Sequence, residues 1–68
     1  MNTLFIKLKG EYPPLAFTEK EIDCSKFTIK GHASNLIRVM DDPKKEGFYL
    51  IDNYNAVRLG DIQAVYVQ

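Results

Sequence analysis

The stretch GFYLIDNYNAVRLGDIQAVYVQ, Gly47–Gln68, decides the fold class. It reads as three short strands broken by polar turns. Phe48–Ile51, Ala56–Leu59 and Ile62–Val67 are rich in the aromatic and β-branched side chains that pack well on a pleated surface. Asp52, Asn53, Tyr54 and Asn55 separate the first two, and asparagine tolerates the left-handed backbone that a tight hairpin needs. Gly60 and Asp61 separate the second from the third. Val65, Tyr66 and Val67 have little sequence after them to cover their backbone edges. Unpaired strand edges are templates for pairing, so this last strand is expected inside a sheet or against a partner.

Working outward toward the N-terminus, Thr3–Lys9 alternates cleanly. Leu4, Ile6 and Leu8 share one face and Phe5, Lys7 and Lys9 the other, the pattern of a half-buried strand. Gly10 through Pro14 stops it, because successive prolines remove amide donors and hold the chain extended. Thr18 and Glu21 stand at capping-box spacing, which predicts one short helix over Glu19–Cys24, with Ile22 too small an apolar face for a longer one. Phe27–Lys30 alternates again, Gly31–Asn35 reads as a loop, and Leu36–Met40 as the returning strand of a hairpin. Asp41–Gly47 is a strong turn, with an acid before Pro43 and Gly47 available for a positive φ. The expected fold is therefore mostly β: a small antiparallel barrel or sandwich of five to six short strands, with room for one short helix near residues 19–24. The alternative is an α+β fold, a rolled sheet with one helix. No repeat, linker or low-complexity tract divides the chain, so residues 1–68 are expected as a single compact domain.

Composition limits the function. At 68 residues the core is small, and a net stability of about 3–5 kcal/mol is expected. With 46% apolar residues and zero formal net charge, the chain lacks the signature of disorder. Nine basic residues balance nine acidic ones, so no global field recruits polyanions or membrane surfaces. Neutrality also gives weak protection against self-association, which makes a homo-oligomer an expected state. The lone Cys24 excludes an internal disulfide, and a reducing cytoplasm fits best. Three apolar residues before Lys7 are too few for a secretory signal or a spanning helix, so no membrane is expected.

The charges are sorted by position. Lys7, Lys9, Lys30, Arg38 and Arg58 fall in predicted strands, whereas the acids fall in turns or at strand ends. Strand lysines commonly solvate an outer face and discourage edge-to-edge pairing, which is the ordinary explanation. The functional explanation is anion or nucleic-acid binding, with phosphate contacts from Lys7, Lys9, Lys30, Arg38 and Arg58 and base stacking by Tyr54, which sits in a predicted turn. A nucleic-acid domain usually has a clearly basic balance, and this chain has none.

Candidate chemistry is sparse. Cys24 and His32 are the sole thiol and imidazole, and nucleophilic catalysis would need a third group to orient the base. Structural zinc needs four ligands in paired spacings, and Pro43 breaks any calcium-loop pattern at Asp41 and Asp42. The glycines lie singly at turns, so no phosphate-cradling loop exists and no cofactor or metal is expected. The sequence is thus read as a non-enzymatic small binding module, foremost for another protein, of the kind that serves as an accessory or regulatory protein of a bacterium or phage. A nucleic-acid-binding sheet face and a structural subunit of a homo-oligomeric assembly are the alternatives.

Overall fold

Strand β1, Thr3–Leu8, forms where side chains alternate, and its apolar positions Leu4 and Ile6 are completely buried. The computed structural model that shows this describes residues 2–22, 24–44, 46–52 and 54–68. Asp23, Lys45 and Asn53, assigned above to the predicted helix and to two turns, lie outside the described residues. Gly10 follows β1 with φ +106°, a backbone region that L side chains rarely adopt, and reverses the chain. Strand β2, Leu15–Thr18, returns antiparallel with Thr3 opposite Thr18 and Ile6 opposite Leu15. The sequence reading assigned no strand here. Four residues directly after two prolines carry little periodic signal, and β2 exists because β1 offers a partner.

The capping-box pair does form. The Thr18 hydroxyl donates to Glu21 Oε1 at 2.9 Å, and the Glu21 and Ile22 amides donate to the Thr18 carbonyl. It closes a turn at the end of β2 instead of starting a helix, so the helix expected at Glu19–Cys24 is absent among the described residues. Ile22 drops straight into the core from this turn.

Helix α1 is Ile29–Met40, where a strand, loop and strand were expected. Ile29, Ala33, Leu36 and Met40 recur at spacings of a helical face, and Ile29, His32, Ala33 and Leu36 are buried. Thr28 caps the start, its Oγ1 accepting from the Gly31 amide at 3.0 Å. Phe27, the residue before the cap, lays its ring against His32 with centroids 5.7 Å apart, the arrangement of a hydrophobic staple. Arg38 in the last turn complements the negative end of the helix dipole.

Strands β3, Phe48–Leu50, and β4, Ala56–Arg58, form a hairpin with Tyr49 opposite Val57. Gly47 leads into it with φ +90°, as the turn reading required. A 3-10 turn at Leu59–Asp61 then delivers β5, Ile62–Val67, antiparallel to β1. The three-stranded sheet has the order β2-β1-β5, and β3-β4 is a separate two-stranded sheet. The architecture is mostly β, with five strands in two antiparallel sheets and one helix among the described residues. It does not close into a barrel, because β2 and β5 remain edges. One core joins α1, both sheets and the turn: Leu4, Ile6, Ile22, Ile29, Ala33, Leu36, Ile51, Val57 and Ile62.

Candidate interaction surfaces

Alternation decides what the hairpin presents. Tyr49 packs against the core and Val57 is buried in it, which turns Phe48, Leu50, Ala56 and Arg58 to the opposite side. Phe48 is 68% exposed and Leu50 70%. The register sets Phe48 opposite Arg58 and Leu50 opposite Ala56, so the row is apolar with one guanidinium at its end.

The loop closing this hairpin is pinned by one carboxylate. Asp52 Oδ1 accepts from the backbone amides of Tyr54 and Asn55, each at 2.7 Å, and Asn55 Nδ2 donates to both carboxylate oxygens. Ile51 closes the loop by donating its amide to the Asn55 carbonyl at 2.9 Å. Tyr54, its amide held by Asp52, has 94% of its surface exposed.

A chain of polar contacts ties the hairpin to α1. Arg38 Nη2 donates to Asn35 Oδ1 at 2.9 Å, and Asn35 Nδ2 donates to the Tyr49 hydroxyl oxygen at 3.4 Å. The same hydroxyl is hydrogen-bonded to His32 Nδ1, 3.1 Å away. His32 is 4% exposed and also sits edge-on to the Tyr49 ring, so the imidazole is part of the packing between helix and hairpin. Cys24 is half-buried and packs against the core. Among the described residues no group of His, Cys, Asp and Glu is arranged to hold a metal ion.

The expected basic set is divided over three surfaces. Lys7 shares the outward side of β1 with Phe5, and Lys9 follows just beyond the strand, its amide donating to the Asp61 carbonyl. Lys30 and Arg38 are exposed on α1, not on a strand, and Arg38 is engaged with Asn35. Arg58 and Tyr54 belong to the hairpin. The sheet surface away from α1 carries Phe5 and Tyr66 stacked across β1 and β5, centroids 5.1 Å apart and planes 9° apart. Sequence reasoning passed over Phe48 and Leu50 and gave Phe5 no role; Tyr66, weighed there as a stacking aromatic or a core tyrosine with its hydroxyl reaching solvent, is 38% exposed. The odd-numbered residues of the Thr3–Lys9 alternation already put Phe5 on the uncovered side. No protein-family model, curated protein or solved structure matches this chain. No helix among the described residues is long and apolar enough to cross a membrane.

Proposed function

We propose that this protein is a non-enzymatic, cytoplasmic protein-interaction module that binds its partner through the outer side of the β3–β4 hairpin. The observation that carries this reading is the exposure of Phe48 and Leu50, 68% and 70%, side by side with Arg58 and next to the Tyr54 loop. Contiguous apolar surface rimmed by polar groups is the usual mark of an interaction site on a small domain. Aromatic and Arg side chains dominate the energetics of such contacts. The partner surface that fits is apolar, with a carboxylate to meet Arg58.

The test is capture by immobilised wild-type protein against a Phe48→Ser/Leu50→Ser variant, with far-ultraviolet dichroism confirming an unchanged fold. Loss of these anchors should weaken a specific partner by about 2 kcal/mol or more, which removes it from the eluate. An identical set of captured proteins from bait and variant would refute the reading.

One observation favours a second reading. Phe5, Tyr66 and Lys7 share the uncovered side of the three-stranded sheet, close to Lys9 in sequence, which supports stacking of bases with phosphates held by lysine. Binding to single-stranded oligonucleotides that weakens steeply with salt would support it, and no binding at low salt would remove it.

A further inference from the structure

We propose that this chain forms a homodimer by antiparallel pairing of β5 with its own copy, around a twofold axis passing beside Tyr66. Thr3 and Gln68 exchange both backbone hydrogen bonds, at 2.7 and 3.0 Å, so the narrow pairs of the β1–β5 ladder fall at Thr3/Gln68 and, two residues on, at Phe5/Tyr66. The amides and carbonyls of Val65 and Val67 therefore point away from β1, along the outer edge of β5. Among the described residues no strand lies along that edge, and these groups have no other backbone partner.

The other sheet edge is guarded at one end and, among the described residues, leaves only Ala16 with its amide and carbonyl turned outward and open. The same parity turns the Thr18 amide and carbonyl outward on β2, and both are taken by the following turn, through Glu21 Oε1 and the Glu21 and Ile22 amides. Pro13 and Pro14 precede β2 directly. Strands β3 and β4 are each three residues long, and shortness itself blunts an edge. Strand β5 has six residues with no charge, no proline and no glycine, and its one protective device is a bulge. Its bulge lies at the far end, near Lys7 and Leu8.

The occupant follows from the neutrality of the strand. An antiparallel twofold sets each side chain near its own mate, so a lysine or glutamate close to the centre would face itself. IQAVYV contains none. With zero net charge on the chain, no long-range repulsion opposes the approach of two copies. In the register with Tyr66 facing Tyr66 of the second copy, Val65 exchanges backbone hydrogen bonds with Val67 of that copy. The half-buried Val65 and Val67 side chains then extend the inner apolar face across the axis. On the other face the Phe5–Tyr66 stack of one copy meets that of the other, and Tyr66, 38% exposed, is covered. The product is one six-stranded sheet with α1 of both copies on the same side.

A contact built on one strand belongs to the weak end of interface sizes, so the dimer forms in a concentration-dependent way. Light scattering after size exclusion should move from the 7.8 kDa monomer toward twice that mass as loading rises. Val65→Pro deletes an outward amide without touching the β1 ladder, and should hold the protein at monomer mass with unchanged dichroism. A second variant keeps the test independent of that substitution. Tyr66 falls in a non-hydrogen-bonded pair, where facing Cα atoms are about 4.5 Å apart and within disulfide range. Tyr66→Cys in a Cys24→Ser background should therefore oxidise to a covalent dimer, whereas Gln63→Cys, whose copies stand well apart in this register, should not. Monomer mass at about 1 mM protein, weaker than any specific interface of this class, would overturn the proposal. So would a dimer that survives Val65→Pro, or equal cross-linking at Gln63 and Tyr66. A dimer lost on Phe48→Ser/Leu50→Ser but kept on Val65→Pro would place self-association on the hairpin and overturn it as well.

Discussion

Replacing Tyr49 by Phe removes one oxygen and tests how the hairpin is held. The hydroxyl accepts from Asn35 Nδ2 and faces His32 Nδ1 at 3.1 Å, while the ring itself packs on the core. Phe keeps the ring and leaves the imidazole, 4% exposed, without this hydrogen bond. A buried polar group that loses its partner costs about 1–3 kcal/mol. Asn35 is half-buried and can turn to water, so its share is small. Against a total of about 3–5 kcal/mol for a core of this size, the loss is a large fraction. The midpoint should fall by about 4–8 °C for each kcal/mol lost in a domain of this length. Thermal and urea unfolding followed by far-ultraviolet dichroism measure the midpoint and the free energy, since the chain has no Trp. The same measurement on His32→Leu and on the double variant completes a cycle. If the hydroxyl acts through His32, the double variant costs less than the two singles together, with a coupling of about 0.5 kcal/mol or more. Full additivity, or a Tyr49→Phe protein as stable as the original, would refute this account of the junction.

Two further substitutions probe the helix and the core. Gly31→Ala should stabilise by about 0.5–1 kcal/mol, because Gly31 lies inside α1 at a negative φ, where Ala is the better helix former. The added Cβ would meet Phe27 Cβ and Thr28 Oγ1 at 3.4 Å, ordinary contact distances, so a fall in thermal midpoint would argue against a helix here. Leu36→Ala removes a completely buried side chain from the centre of the core and should cost about 2–5 kcal/mol, comparable to the whole stability. Its dichroism at 25 °C should be largely that of an unfolded chain, and a cooperative native transition near the original midpoint would contradict the assigned core.

The sheet was legible because its signal is local. Ile62–Val67 was read with the bounds the structure shows, and the Thr3–Lys9 alternation placed Leu4 and Ile6 inward correctly. The helix was not, and for identifiable reasons. Ile29, Ala33, Leu36 and Met40 carry the helical period, but Gly31 reads as punctuation and His32 as polar, although it is buried by a Tyr49 hydroxyl supplied from 17 residues away. Thr28 with Phe27 before it was the available start signal, masked by a two-residue alternation that Phe27–Lys30 also satisfies. Of the candidate site, Tyr54 and Arg58 were named from sequence, because turn chemistry and strand position locate them. Phe48 and Leu50 were missed. Which side of a short strand faces the core is settled by Tyr49 meeting His32 and Asn35 of α1 and by Val57 entering the core, a tertiary fact.

Those two exposed side chains are informative because the fold does not require them. Polar residues at 48 and 50 would keep Tyr49 and Val57 inward and the register intact. Burying a side chain of this size is worth about 1.5–3 kcal/mol, so a domain with about 3–5 kcal/mol in total leaves a comparable amount in water. A partner that covers the row recovers it. Pairing at β5 then acts on the hairpin without touching it, since Tyr66 and Leu50 lie on different sheets. A twofold duplicates the Phe48–Leu50 row, and two linked rows hold a bivalent partner up to 10²–10⁴ times more tightly than one when the spacing matches. Capture of such a partner should rise with the dimer fraction of the bait. Val65→Pro should reduce it to single-site strength and Phe48→Ser/Leu50→Ser should abolish it, an ordering that neither surface produces alone.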